Sequence, residues 1–192
     1  MLGRTSAIGI ERSWRRPHSP LGQPSQPEPP TNMLSIRPAI VADVPLLRKM
    51  IYEFATFEHL ADKVTVTEET LASDGFGPAP RFRVLLPEWD GKPAGYELLY
   101  EFYSSFAGRG LFLEDIYVRQ EFRGHGIGKA LMAEAAAIAV REGFWGVRWE
   151  VLDWNQPAIN FYKTLGATFL DDWRAVHLTG EPLHQLAESA QK

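Results

Sequence analysis

Apolar residues recur at helical spacing through Leu46, Leu47, Met50, Ile51, Phe54 and Phe57, a pattern that predicts an amphipathic helix. Asp43 is placed to cap its start, with Pro45 in the first turn. Ahead of it, Ser35-Ile36-Arg37 reads as a short strand. Thr67-Glu68-Glu69-Thr70-Leu71 predicts a second, short helix capped by Thr67, and Asp74-Gly75-Phe76-Gly77 a turn. The pattern then becomes strand-like over residues 82–86, 93–102 and 111–118. A hairpin turn carrying Asp90-Gly91 falls at 88–93. Residues 126–141 predict a helix ended by Gly143, 147–152 a strand, 157–165 a helix stopped by Gly166, and 173–178 a final strand. The order is strand, helices, three strands, helix, strand, helix, strand. That is an α/β domain without internal repeats.

Residues 1–32 break the pattern. Six of the 14 prolines lie between Pro17 and Pro30 among Ser, Gln and Gly, with few apolar residues. Such a segment buries too little surface to offset chain ordering. It is expected to be a disordered Pro-rich tail, or an upstream extension with Met33 as the start, rather than an Arg-rich transit peptide. The folded body is then expected at 33–192. Overall charge is −4. The tail holds Arg4, Arg12, Arg15 and Arg16 against Glu11 and Glu28, or +2, so the body is near −6. That balance argues against nucleic acid and suits a cationic partner. No apolar run is long enough to span a membrane. The absence of cysteine excludes disulfides and thiolate metal sites and is compatible with a cytoplasmic setting. The five histidines form no HExxH pair, so no metal is expected.

The chemistry concentrates in Leu113-Glu114-Asp115-Ile116-Tyr117-Val118 and the Arg123-Gly124-His125-Gly126-Ile127-Gly128 loop after it. A glycine-rich loop opening a helix presents backbone N–H groups and partial positive charge to an anion. Two familiar nucleotide loops do not fit. The dinucleotide fingerprint lacks its third glycine, since position 129 is Lys. The Walker loop lacks its first glycine, Arg123 standing there, and has Ala130 in place of Ser/Thr. What fits is Arg-x-x-Gly-x-Gly after a strand, which resembles the pyrophosphate loop of the GNAT superfamily of N-acetyltransferases. Downstream, Asp153-Trp154-Asn155-Gln156-Pro157 and the helix with Tyr162 before Gly166 resemble that superfamily's second block. Leu113-Glu114-Asp115, Trp154-Asn155, Asp74-Gly75-Phe76-Gly77 and Phe57-Glu58 are similar to the diamine (spermidine/spermine) N-acetyltransferase family, and 113–118 with 151–156 to its thialysine-acetylating branch.

The resemblance implies the GNAT fold, a mixed, splayed sheet flanked by helices. It implies acetyl-CoA as cofactor and a small cationic amine as substrate: a thialysine- or lysine-like amine, a diamine or a polyamine. It implies Glu114 as the proton acceptor, through water, and Tyr162 as the general acid. On strand alternation Glu114 and Ile116 share one face and Asp115 the other, which favours Glu114 unless a bulge intervenes. Acetyl-CoA is expected against Ile116, Tyr117 and Val118, the loop from Arg123 through Gly124, His125, Gly126, Ile127 and Gly128 to Lys129, and Asn155, Gln156, Pro157, Ala158 and Tyr162. The amine is expected against Phe57, Glu58, Glu114, Arg148, Trp149 and Glu150, with Asp62 and the acids at 171 and 172 nearby and 97–106 as a pocket wall. Ala61-Asp62-Lys63, where the polyamine enzymes carry an acidic pair, and Phe57, where they carry tyrosine, favour a shorter amine. A homodimer is expected, with Trp145, Trp149, Trp154 and Trp173 as interface or core. The other readings are an acetyl-CoA-binding sensor without turnover and a protein or peptide acetyltransferase.

Overall fold

The computed structural model describes residues 33–190. The tail expected at 1–32 lies outside the described residues. Strand β1 is Leu34–Pro38. A 3-10 turn at Val41–Asp43 leads into α1, Val44–Phe57, which carries proline in its first turn. Asp43 precedes α1 without capping it through its side chain. Its carboxylate instead accepts from Arg37 at 2.8 and 3.0 Å and from the Ile40 amide at 2.8 Å, tying the turn to β1. Helix α2 is Glu68–Phe76, with the Thr67 hydroxyl accepting from the Thr70 amide at 3.2 Å. It runs through the expected turn at 74–77. Gly75 lies within the helix, and the Phe82 ring packs where a Cβ would project, so only glycine fits there.

Strands β2 (Arg83–Trp89), β3 (Lys92–Pro93), β4 (Gly95–Ser104) and β5 (Gly108–Val118) follow, then α3 (Ile127–Arg141), β6 (Val147–Arg148), α4 (Gln156–Thr164) and α5 (Glu181–Ser189). Asp90 and Gly91 at the β2–β3 turn both have positive φ, 50° and 72°, as a tight hairpin turn requires. The sheet order is β1-β2-β4-β5-β6, with β3 against β2. All pairs are antiparallel except β5–β6, so the sheet is mixed.

Two apolar cores lie on its faces. One joins Leu47 and Met50 of α1 to Val84, Leu86, Tyr96, Leu98 and Tyr117. The other joins Leu85, Leu99, Leu111 and Leu113 to Ile127, Leu131, Ala135 and Ile138 of α3 and Tyr162 of α4. The strand expected at 147–152 pairs only at Leu111↔Val147 and Phe112↔Arg148. Beyond these positions β6 and β5 part. Residues 173–178, expected as a final strand, join no ladder and are exposed, and α5 follows them. An alternating pattern forms a strand only where an edge is available to pair.

Candidate active site

A cleft of about 1320 Å³ opens where β5 and β6 part. One wall is β5 from Leu113 to Val118, whose outer edge has no ladder partner among the described residues. The Val118 carbonyl on that wall accepts from Arg123 Nε at 2.9 Å.

The loop after β5 forms one end. Gly124 and Gly126 have φ of 83° and 78°, a backbone that side-chain-bearing residues rarely adopt. Their turns aim the chain into α3, whose first intrahelical bond is donated by Ala130 to Gly126. The amides of Ile127, Gly128 and Lys129 precede that bond, and these three residues line the cleft. Free first-turn amides on a 15-residue helix form an anion site. The opposite wall is α4. Asn155 caps it, its side chain accepting from the Ala158 amide at 3.3 Å, and Pro157 occupies its first turn. Tyr162 is buried on the cleft side, its ring 5.1 Å from Trp149 and 5.3 Å from Phe161. Burial first, then the charges of Glu58 and Glu97, pushes its hydroxyl up to about 12.

Acids and aromatics gather at the far end. Glu58 caps the C-terminal end of α1, and burial raises its pKa above its ordinary value. Phe57 lies 6.0 Å from Trp154 and beneath the Arg123 guanidinium at 5.0 Å. On β5 the register against β4 slips between Leu98↔Asp115 and Leu99↔Leu113, leaving Glu114 as the extra residue of a bulge. The alternation is therefore reset. Asp115 turns to the α1 side, where it accepts from Tyr96 Oη at 2.7 Å, and Ile116 returns to the α3 side with Leu113. Both Glu114 and Asp115 reach the cleft. Asp115 is pushed up to about 6, by burial first and by Glu114 and Glu58 after it, against the lowering effect of the Tyr96 bond.

Most residues expected at the site meet in this cleft: Phe57, Glu58, Glu114, Ile116, Tyr117, Val118, Arg123, Gly124, Gly126, Ile127, Gly128, Lys129, Trp149, Glu150, Asn155, Pro157, Ala158 and Tyr162. His125, Gln156 and Arg148 do not line it. The His125 ring packs 4.6 Å from Trp89, Gln156 Nε2 donates to Asn160 at 2.8 Å, and Arg148 sits in the last paired position of β6. Residues 97–106 do not form its wall either, because β5 stands between them and the cleft. Asp62 pairs with Lys63 at 3.0 Å on the surface. The sequence reading missed Tyr96, Asp115 as a cleft residue, and Arg174, which lines the cleft from the segment after α4. For Asp115 the signal was the adjacent acidic pair itself, since a bulge brings both members to one site. Among the described residues no cluster of His, Asp and Glu could hold a metal ion.

The Acetyltransferase (GNAT) family model matches residues 47–167, from α1 to just past α4. The chain belongs to this family. It is an acetyltransferase acting on an amine with acetyl-CoA as the acetyl donor, as GNAT acetyltransferases are. Thialysine N-epsilon-acetyltransferase of Sus scrofa is 41% identical over 163 residues, covering 79% of this chain and 96% of the relative. L-ornithine N5-acetyltransferase of Arabidopsis thaliana is 32% identical, covering 79% of this chain and 86% of the relative. Among solved structures, a Vibrio cholerae integron cassette protein has a TM-score of 0.67 at 22% identity, covering 81% of this chain and 98% of that one. An aminoglycoside acetyltransferase from an uncultured soil metagenomic sample, solved with sisomicin, has a TM-score of 0.63 at 19% identity, covering 78% and 96%. These two share the GNAT fold.

Proposed function

We propose that this GNAT acetyltransferase acetylates the primary amine of a small cationic substrate, a thialysine- or lysine-like amine or a short diamine. The observation that carries the reading is the convergence of Glu58, Glu114 and Asp115 beside Phe57 and Trp149 in one cleft, opposite the glycine loop. The 41% identity to a thialysine N-epsilon-acetyltransferase supports the lysine-like end of the range.

The open edge of β5 and the left-handed glycines fit acetyl-CoA. Ile116, Tyr117 and Val118 would hold its pantetheine arm through the backbone, as a strand added to a sheet edge. Gly124, Gly126, Ile127, Gly128 and Lys129 would hold the pyrophosphate, and Asn155, Pro157 and Ala158 the far side of the arm. Bound there, acetyl-CoA supplies the activated acetyl group as a thioester.

The chain's own residues must manage two protons. A primary amine of pKa ~10 is free in only about one molecule in a thousand at pH 7, so its proton has to be removed. Glu58 draws the distal cation and Phe57 covers the apolar stem. Glu114 accepts the amine proton through water. Tyr162 Oη, raised to about 12, keeps its own proton at neutral pH and holds it for the departing sulfur. Asp115 is the second candidate for the base, favoured by its pKa of about 6, near the working range of a general base.

The enzyme is further proposed to act as a homodimer in the cytoplasm. Exposed apolar residues along the C-terminal segment, among them Trp173, Val176, Leu183 and Leu186, support the first point, and sedimentation velocity tests it. The substrate assignment is tested by thiol release from acetyl-CoA with thialysine, lysine, ornithine, putrescine, spermidine, a monoamine and a histone-tail peptide. Selective turnover of one small amine is expected. Turnover of the peptide alone would overturn the reading.

A further inference from the structure

Glu97 lies near the start of β4, between Tyr96 and Leu98, and β4 is the central strand of the sheet. It is fully buried, and neither carboxylate oxygen has a hydrogen-bond partner. Isolated charge in such a place is costly enough that a carboxyl keeps its proton instead. Burial first, and the charge of Glu134 second, push Glu97 up to about 8.

Its surroundings follow from the register. Glu97 pairs across the sheet with Leu85 on β2 and Ile116 on β5. Directly paired residues share a face, and Leu85 and Ile116 both belong to the core that contains Leu131, Ala135 and Tyr162. Glu97 thus sits one strand behind Ile116, a residue of the cleft wall. The titratable groups it feels or is felt by are Glu134 from α3 and Tyr162 from α4, while β2 and β5 face it with apolar side chains.

We propose that Glu97 is a positioning residue for Tyr162: as a neutral acid it adds no charge behind the tyrosine, and once ionised it places a negative charge behind the cleft wall that makes Tyr162 a weaker proton donor. The idea rests on Tyr162 being the donor. The Glu97 transition, at about 8, lies between Asp115 near 6 and Tyr162 near 12. The turnover number therefore falls as pH rises through that interval.

The experiment measures kcat from pH 6 to 10 at saturating acetyl-CoA and amine for wild type, Glu97→Gln, Glu97→Leu and Tyr162→Phe. Wild type should lose roughly threefold through the transition, the effect of about half a pKa unit on an acid that donates in the slow step. Glu97→Gln keeps the shape and Glu97→Leu removes the polar group, and both should be flat there. An alkaline fall retained in either variant overturns the proposal. Melting temperatures taken alongside separate a packing role, which would move the melting point and leave the shape of the kcat profile unchanged. A slow Tyr162→Phe together with a retained fall removes only the role of Glu97. An undiminished Tyr162→Phe removes the donor assignment, and the role of Glu97 goes with it.

Discussion

Tyr96 donates its hydroxyl hydrogen to Asp115 across 2.7 Å, joining β4 to β5 beside the bulge at Glu114. The bond favours the ionised carboxylate and opposes the burial that raises it. Tyr96→Phe should push the Asp115 pKa above its value of about 6. If Asp115 shares in proton removal, the acid limb of kcat/KM moves to higher pH. The lost bond costs about 1 kcal/mol of stability. A pH profile and a urea melt of the variant check both points, and an unmoved acid limb would separate Tyr96 from the chemistry.

Tyr162→Phe keeps the ring against Trp149 and removes only the hydroxyl. Turnover should fall roughly 10²-fold, the scale of a lost acid–base group, while acetyl-CoA affinity measured by calorimetry stays close to wild type. Wild-type turnover would end the donor assignment.

Glu114→Gln and Asp115→Asn compare the two candidate bases. The variant that loses the true base should lose rate mostly at low pH, where little free amine is present, and recover as pH rises toward ~10. An unchanged profile in Glu114→Gln, with a steepened one in Asp115→Asn, would transfer the role to Asp115.

Glu58→Lys reverses the charge at the end of α1. KM for a diamine or lysine-like amine should rise more than kcat falls, because the lost attraction acts on binding in the ground and transition states alike. Steady-state kinetics at two salt concentrations test this. Equal losses in kcat and kcat/KM would place Glu58 in the chemistry instead.

Stability should also depend on Glu97. Its proton is held more tightly in the folded chain, to about 8, than in the unfolded chain near the ordinary 4.5. The stabilising contribution is therefore complete below pH 4.5 and is lost as pH rises to 8. Wild type should melt progressively lower across that window, and Glu97→Leu should lack this component of the decline. Thermal melts at intervals from pH 5 to 9 measure the difference.

Much of this was legible in the chain because it rests on local rules. Paired positive φ values at Asp90 and Gly91, the Thr67 cap and the apolar stripe of α1 are written in a few consecutive residues. The glycine loop and Tyr162 could be found through their resemblance to the GNAT motifs. What could not be read depends on partners distant in sequence. Gly75 looked like a turn residue, yet it lies within α2, and its lack of a side chain makes room for the Phe82 ring. Residues 149–152 look like a strand, but the ladder to β5 ends at Arg148. The bulge at Glu114 exists only relative to β4, and it decides where Asp115 points. The isolation of Glu97 could not be read either, because it required the neighbouring strands and α3 to be in place.

The splayed edge of β5 divides recognition between main chain and side chains. On the proposed reading, donor binding uses main-chain atoms of Ile116, Tyr117 and Val118, which any residue but proline provides. Acceptor choice uses side chains across the cleft, Phe57 and Glu58 at the end of α1. Mutation at 57 and 58 can then explore new amines with donor affinity and the proton acceptors intact. A fold arranged in this way can diversify its substrates in small steps, each variant still holding the same acetyl donor.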